Sequence, residues 1–445
     1  MDIVRRLACG STDRGGVGGS AALDLTIVIP ASHEESNLDL LLPQILSVIA
    51  DMQVVAEVLI VTPRGDGGGE RAASRYGVRA LPQIERGYGG ALLEGFRAAR
   101  GTYVLTMDAD LSHPPELIRR LWQARRSADV LIASRYVAGG AATMPRFRLL
   151  LSRTLNRAFS RGLSLRVRDM SSGFRLYQAR TLAGLQFEAR DFDALQEILV
   201  LLLGAGWHVE EVPFHYQPRV HGTSNARILR FGLAYALTFG RLWRLRNSIL
   251  SADYDDRAHD SIIPLQRYWQ RERYRHVTEL IAGHGPVLDV GCGSSRIIGA
   301  LPAGSVGVDI LLRKLRHARR FGKALACGSA MTLPISDASF GCVLCSQVIE
   351  HVPKESPILD ELVRVLAPGG LLVLGTPDYD RWEWVLTEAL YGWFAPGGYA
   401  DEHISHYSRA ELVRLFEGRG FSHVETRYIL RGELILGFRK GWNRP

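Results

Sequence analysis

The stretch whose reading decides the fold is TMDADLSHPP, Thr106–Pro115. The preceding GTYVL is a short apolar run of strand type, and it ends abruptly in two carboxylates, Asp108 and Asp110. Side chains two apart in extended backbone share a face, so both acids can reach one ion. Carboxylates suit a hard cation such as Mg2+ or Mn2+, which is commonly shared with a substrate's phosphates. Ser112, His113, Pro114 and Pro115 follow as a loop, and the carboxyl end of a strand is where an α/β fold places its chemistry. Asp-x-Asp alone is common by chance as a solvated strand end, so the flanking sequence carries the argument.

Upstream, LDLTIVIP (Leu23–Pro30) reads as a buried parallel strand, ASHEESNLDLLLPQILSVI as an amphipathic helix and AEVLIV (Ala56–Val61) as a second strand. Alternating strand and helix predicts a parallel sheet with its ligand crevice at the strand carboxyl ends. At 445 residues the chain is long for one domain. Its 47% hydrophobic content is that of ordinary globular protein, which excludes wholesale disorder. Five scattered cysteines do not form a disulfide framework and fit a reducing cytoplasm. Cys342-x-x-Cys345 lies inside the apolar run CVLCSQVI and reads as core packing.

The net charge is +8, and residues 1–250, with 31 Arg and 23 acidic residues, account for all of it. That half therefore expects an anionic partner. From Arg135 to Arg180 there are ten Arg, with Asp169 the one acid. The basic region carries no nucleic-acid motif, so no nucleic acid is expected. Within it, MPRFRLLLSRTLNRAFSRGL sets Arg153, Arg157 and Arg161 on one side and Leu151, Leu155 and Phe159 on another. An interfacial helix and a helix packed on the sheet both fit that pattern. Leu229–Arg246 has about half the apolar length needed to span a bilayer, but it could lie on one.

IVIPASHEESNL, RGYGGALLEGFRAARGTYVLTMDADLSHPP, ASRYVAGG, DMSSGFRLYQAR and EVPFHYQPRVHGTSNARI stand in the order seen in GT-A glycosyltransferases. Residues 23–247 thus resemble the dolichyl-phosphate mannosyltransferase group and other polyprenyl-phosphate glycosyltransferases. The resemblance implies a sugar moved from a nucleotide-sugar to a polyprenyl phosphate by a peripheral protein at the cytoplasmic membrane face. It implies metal binding by Asp108, Asp110 and Ser112, and catalysis by Asp108, Asp110 and Arg135. Pro30, Ala31, Glu34, Asp66 and Asp108 would hold the nucleotide-sugar, and Arg135, Ser172, Arg175, Arg219 and Ser224 the lipid phosphate. A phosphate monoester, with a second pKa of about 6, is already ionised at neutral pH and needs no general base. Two places depart from the group: Thr62, Pro63 and Arg64 replace acids that hold the base and ribose, and Asn225 replaces a lysine. Asp66 is the candidate substitute for those acids.

In the second half, PVLDVGCGSS closes a strand on Asp289, with Gly291 and Gly293 in the turn, and SVGVDI ends in Asp309. Glycines there let a ligand approach the backbone. With GSAMTLPISDASFGCVLCSQVIEHVP, LVRVLAPGGLLVLGTPD and EHISHYSRAELVRLFEGRGF, residues 265–445 resemble class I S-adenosylmethionine-dependent methyltransferases. The resemblance implies a seven-stranded, mostly parallel sheet with its last strand antiparallel. It implies an S-adenosylmethionine site of Asp289, Gly291, Cys292, Gly293, Asp309, Ala330, Met331 and Gln347. Glu350, His351, His403 and His406 are candidates for proton transfer, although histidines in such places more often cap helices or hold loops. Trp382–Ala400 is an aromatic insertion, either a lid or a packed surface helix.

The expected fold class is α/β, with two doubly wound domains, one GT-A and one Rossmann-like. The expected boundaries are a flexible 1–22, a glycosyltransferase domain at 23–250, a polar linker at 251–264 and a methyltransferase domain at 265–445. The expected function is a bifunctional transferase serving one glycolipid pathway. The rival reading keeps the methyltransferase active and makes the GT-A part a non-catalytic module that binds lipid phosphate or membrane.

Overall fold

A computed structural model describes residues 23–217, 228–394 and 403–442. The expected flexible 1–22, Arg219, Ser224 and Asn225 lie outside the described residues, as do positions 395–400 of the aromatic insertion. The chain divides into two compact units, Met1–Leu202 with Trp207–Trp243, and Leu203–Gly206 with Arg244–Pro445.

In the first unit, β1 (Leu25–Pro30), β2 (Ala56–Pro63), β3 (Arg79–Gln83), β4 (Tyr103–Thr106) and β5 (Val130–Ser134) alternate with helices. The short β6 (Ala141–Ala142), then β7 (Arg175–Gln178), β8 (Val209–Pro213) and the short β9 (His215–Tyr216) follow. The main sheet runs β3-β2-β1-β4-β7-β5-β8. β3, β2, β1 and β4 are mutually parallel, while β7 is antiparallel to both β4 and β5. β1 and β5 are apolar and nearly wholly buried, because helices cover both faces of a parallel sheet. Inserting β7 between β4 and β5 brings the ends of those two strands to one edge, and with them Asp108 and Arg135.

The second unit holds β10 (Val287–Val290), β11 (Val306–Asp309), β12 (Ala324–Cys327), β13 (Phe340–Ser346), β14 (Leu366–Pro377), β15 (Phe421–Ile429) and β16 (Glu433–Lys440). Its order is β12-β11-β10-β13-β14-β16-β15, with β16 antiparallel to β14 and to β15. This is the mixed sheet anticipated for a class I methyltransferase fold. Cys342 and Cys345 are fully buried free thiols on β13, and burial pushes the Cys342 thiol up to about 12.

The stretch 251–264 is not a solvated linker. It carries the helix Tyr254–Ala258, in which Tyr254, Asp256 and Ala258 are buried. Each buried acid has a cationic partner: Asp253 pairs with Arg246 at 2.7 Å, and Asp256 pairs with Arg296 at 2.7 Å and His317 at 3.1 Å. Polar composition reads as solvated only while the partners, distant in sequence, are unseen.

Candidate functional site

Asp108 and Asp110 follow β4, whose pairing is prolonged by the Met107 N–H donating to Val28 O at 3.2 Å. The turn needs Leu111 at φ +62°, and the Ser112 N–H closes it on Asp110 Oδ1 at 3.1 Å. Both acids line a cavity of about 1010 Å³, together with Pro30, Ala31, Glu34, Tyr88, His113, Arg135 and Ser172. The Tyr88 hydroxyl donates to Asp108 Oδ1 at 3.1 Å, and its ring stacks on Phe192 at 4.8 Å. A Cβ at Gly173 would come 2.5 Å from that hydroxyl, so glycine is what admits it.

His113 is buried against Phe174, Phe214 and Tyr216. Its Nδ1 accepts from the Asp108 N–H at 3.1 Å, which requires the neutral ring, and burial lowers its pKa in the same direction. His113 therefore fixes the backbone that carries Asp108. Tyr88 and His113 had no role in the sequence reading, although RGYGG and LSHPP both stood among the family motifs.

Two carboxylates on the cavity wall and the buried Ser112 hydroxyl, without a partner among the described residues, are a donor set that fits a hard divalent cation. Arg135 lines the cavity, with Nε and Nη2 each 2.7 Å from Asp169 and the Ser171 hydroxyl 2.7 Å from Nη2. Ser172 lines it too, with a buried, unpartnered hydroxyl among the described residues.

Two expected residues are placed elsewhere. Arg175 is 1% exposed and donates to the carbonyls of Ser172, Leu195 and Met170 at 2.8, 2.8 and 2.6 Å. It braces backbone inside the sheet and is not presented to a phosphate. Asp66 caps the helix Gly67–Tyr76 through Gly68 N–H and also accepts from His33 N–H and Thr62. It is absent from the cavity wall, where Pro63 stands, so it does not replace the nucleotide-holding acids.

The far wall is the helix Arg146–Gly162, which supplies Arg148, Leu151, Leu155 and Phe159, with Phe239 beside them. Its buried residues are the polar Asn156 and Ser160, while Phe147 and Leu150 are 76% and 65% exposed. It is thus no ordinary core helix.

In the second unit, Asp289 is buried one residue before the end of β10, and burial, then Asp309, raises its carboxyl to about 7. Gly291 and Gly293 have φ of +72° and +55°, and a Cβ on Gly291 would lie 2.2 Å from Val348. Cys292 is buried, its N–H bonded to Val308 O. Asp309 accepts the Gly293 and Leu311 N–H groups at 2.9 and 2.7 Å, tying the glycine turn to the end of β11. Ala330 and Met331 are half-buried after β12, where Gly328 N–H returns to Asp309 O. Gln347, at φ +60°, has a buried Nε2 without a partner among the described residues. Asp255, not foreseen, accepts from the Ser294 N–H and pairs with Lys314 at 3.0 Å beside the same turn. His406 stacks on Tyr379 at 3.9 Å, and Trp384 of the insertion packs edge-on to Trp269 at 5.8 Å.

Two family profiles match the chain: glycosyl transferase family 2 over residues 26–183, and a methyltransferase domain over residues 288–374. The dolichol-phosphate mannosyltransferase of Pyrococcus furiosus is 31% identical over 215 residues, which cover 46% of this chain and 60% of that protein's length. The undecaprenyl-phosphate mannosyltransferase of Micrococcus luteus is 31% identical over 226 residues, 46% of this chain and 93% of that one. Among solved structures, an S-adenosylmethionine-dependent methyltransferase from Thermotoga maritima aligns at 23% identity over 39% of this chain and 94% of that one, with a TM-score of 0.33.

Proposed function

Since the chain belongs to glycosyl transferase family 2 through its first half and carries a methyltransferase domain in its second, we infer that it moves a sugar from a nucleotide-sugar to a polyprenyl phosphate and methylates within the same glycolipid pathway. The observation that carries the first activity is one cavity lined by Asp108, Asp110, Arg135 and the apolar side chains Leu151, Leu155 and Phe159 of the helix Arg146–Gly162. A divalent ion on the two acids would neutralise charge developing on the departing nucleotide diphosphate. Tyr88 and His113 hold Asp108 in place, Arg135 and Arg148 supply positive charge for phosphate oxygens, and Leu151, Leu155 and Phe159 offer the prenyl chain an apolar bed. Exposed Phe147 and Leu150 beside the arginines suit peripheral contact with the cytoplasmic membrane face. Asp289, the glycine turn, Asp309 and Gln347 would hold S-adenosylmethionine, which supplies an activated methyl group. Covalent linkage raises the local concentration of one product near the next site. We assign glycosyl transfer to the first unit and methyl transfer to the second.

The engaged Asp66 favours a second reading, in which the first half only binds lipid phosphate or membrane. One assay separates them: full chain, Mg2+ or Mn2+, short-chain polyprenyl phosphate and a panel of nucleotide-sugars, with lipid products weighed with and without S-adenosylmethionine. A metal-dependent glycolipid supports the transferase, and a further methyl mass supports the shared pathway. No turnover of any donor, with lipid phosphate still bound, supports the docking module.

A further inference from the structure

Glu350, His351 and His403 converge. Each offers one ligand atom, and the three atoms lie within 4.8 Å of one another, a spacing that small side-chain shifts toward a common centre would close to the bonds of about 2 Å that one ion makes. Glu350 is fully buried. Its Oε2 accepts from Thr376 at 3.2 Å, while Oε1 has no partner among the described residues. A buried carboxylate oxygen without a donor is costly unless a proton or a cation meets it.

The histidine opposite is held in place. His403, with a 4% exposed side chain, has Nδ1 at 2.8 Å from Glu388 and 2.7 Å from the Tyr379 hydroxyl, which itself donates to Glu388 at 3.0 Å. A carboxylate on Nδ1 fixes the tautomer that leaves Nε2 as ligand and raises its basicity. The Ile404 and Ser405 N–H groups donate to Glu350 O at 2.8 and 3.0 Å, and the Ser405 hydroxyl donates to Val352 O at 2.6 Å. Those bonds tie the His403 segment to the turn that carries Glu350 and His351.

We propose that Glu350, His351 and His403 form a divalent-cation site in the second unit, with Glu388 and Tyr379 orienting His403. One carboxylate and two imidazoles select an ion that accepts nitrogen ligands, such as Zn2+ or Mn2+, over Ca2+. The site begins three residues after Gln347, at the edge where the methyl donor is expected. Resting on the methyltransferase reading, the acceptor is then a hydroxyl, as on a sugar. Transfer breaks the S–CH3 bond, forms an O–CH3 bond and releases the hydroxyl proton to solvent, and a cation at that oxygen eases the release.

The test uses the full chain carrying Asp108→Asn and Asp110→Asn, so that the first unit's acids do not contribute. After EDTA stripping, the chain is titrated with Mn2+ and, separately, Zn2+ by calorimetry. One ion per chain is expected with at least one metal. Adding His351→Ala or His403→Ala should weaken it about 100-fold, and Glu388→Gln about 10-fold, with the melting temperature of the stripped proteins unchanged. If a histidine variant melts early, Glu388→Gln, whose side chain is partly exposed, carries the test. Binding by neither metal, or equal binding in all variants, overturns the site. Methyl transfer to a hydroxyl acceptor that persists in EDTA overturns the assignment of the ion to chemistry. Failure to bind S-adenosylmethionine would instead remove the methyltransferase reading and leave the titration to decide the site.

Discussion

The Asp108 carboxylate is fixed by two groups of quite different character. His113 acts through the backbone and Tyr88 through the side chain. Asp108→Asn should lower glycosyl transfer by about 100-fold or more, whereas Tyr88→Phe, which deletes one hydrogen bond to a charged group, should cost roughly tenfold. Initial rates with a short-chain polyprenyl phosphate measure both, and equal losses would contradict the assignment. Arg175 calls for a stability measurement instead. Removing a buried guanidinium takes one donor from each of three carbonyls, so Arg175→Ala should lose about 3 kcal/mol or more. A raised KM with unchanged melting would restore it to the phosphate site. Asp289 makes a pH prediction. Its carboxyl rises from 3.8 to about 7, through burial first, so it favours the fold fully below pH 3.8 and that contribution is lost as pH climbs through about 7. The interval is worth about 4 kcal/mol. In ligand-free protein, Asp289→Asn should gain on the wild type between pH 5 and pH 8 in denaturant melts. Parallel pH dependences would contradict this.

Among the elements, the helix Arg146–Gly162 departs most from ordinary core packing. Its apolar residues divide between the cavity wall and solvent, and only Asn156 and Ser160 are buried. Replacing exposed Phe147 and Leu150 with Asp should reduce binding to anionic vesicles, by sedimentation, while turnover of a detergent-soluble short-chain acceptor changes little. Loss of both together would mean that the helix is needed for the catalytic fold itself. The helix Tyr254–Ala258 shows the reverse case, in which a charged segment is buried because each acid has a cation waiting: Arg246 for Asp253, and Arg296 with His317 for Asp256.

At the scale of the molecule, each unit has its own sheet and its own core. The α/β class, the strand end that carries Asp108 with Asp110, and the glycine turn after Asp289 were legible in the sequence. They depend on local patterns: apolar runs of strand length, strand–loop junctions and glycines at positive φ, all written in neighbouring residues. Arg135 was legible as a residue but not as the partner of Asp169, since an ion pair joins positions remote along the chain. The same limit hid Tyr88 and His113 behind Asp108, turned Arg175 inward, gave Asp66 to a helix cap, and kept the meeting of Glu350 and His351 with His403 out of sight. The chain's local chemistry thus determined which folds and reactions it could serve. Burial and pairing across the sheet decided which side chains face a ligand, because whether a charge meets solvent, substrate or another charge depends on contacts that only the tertiary structure makes.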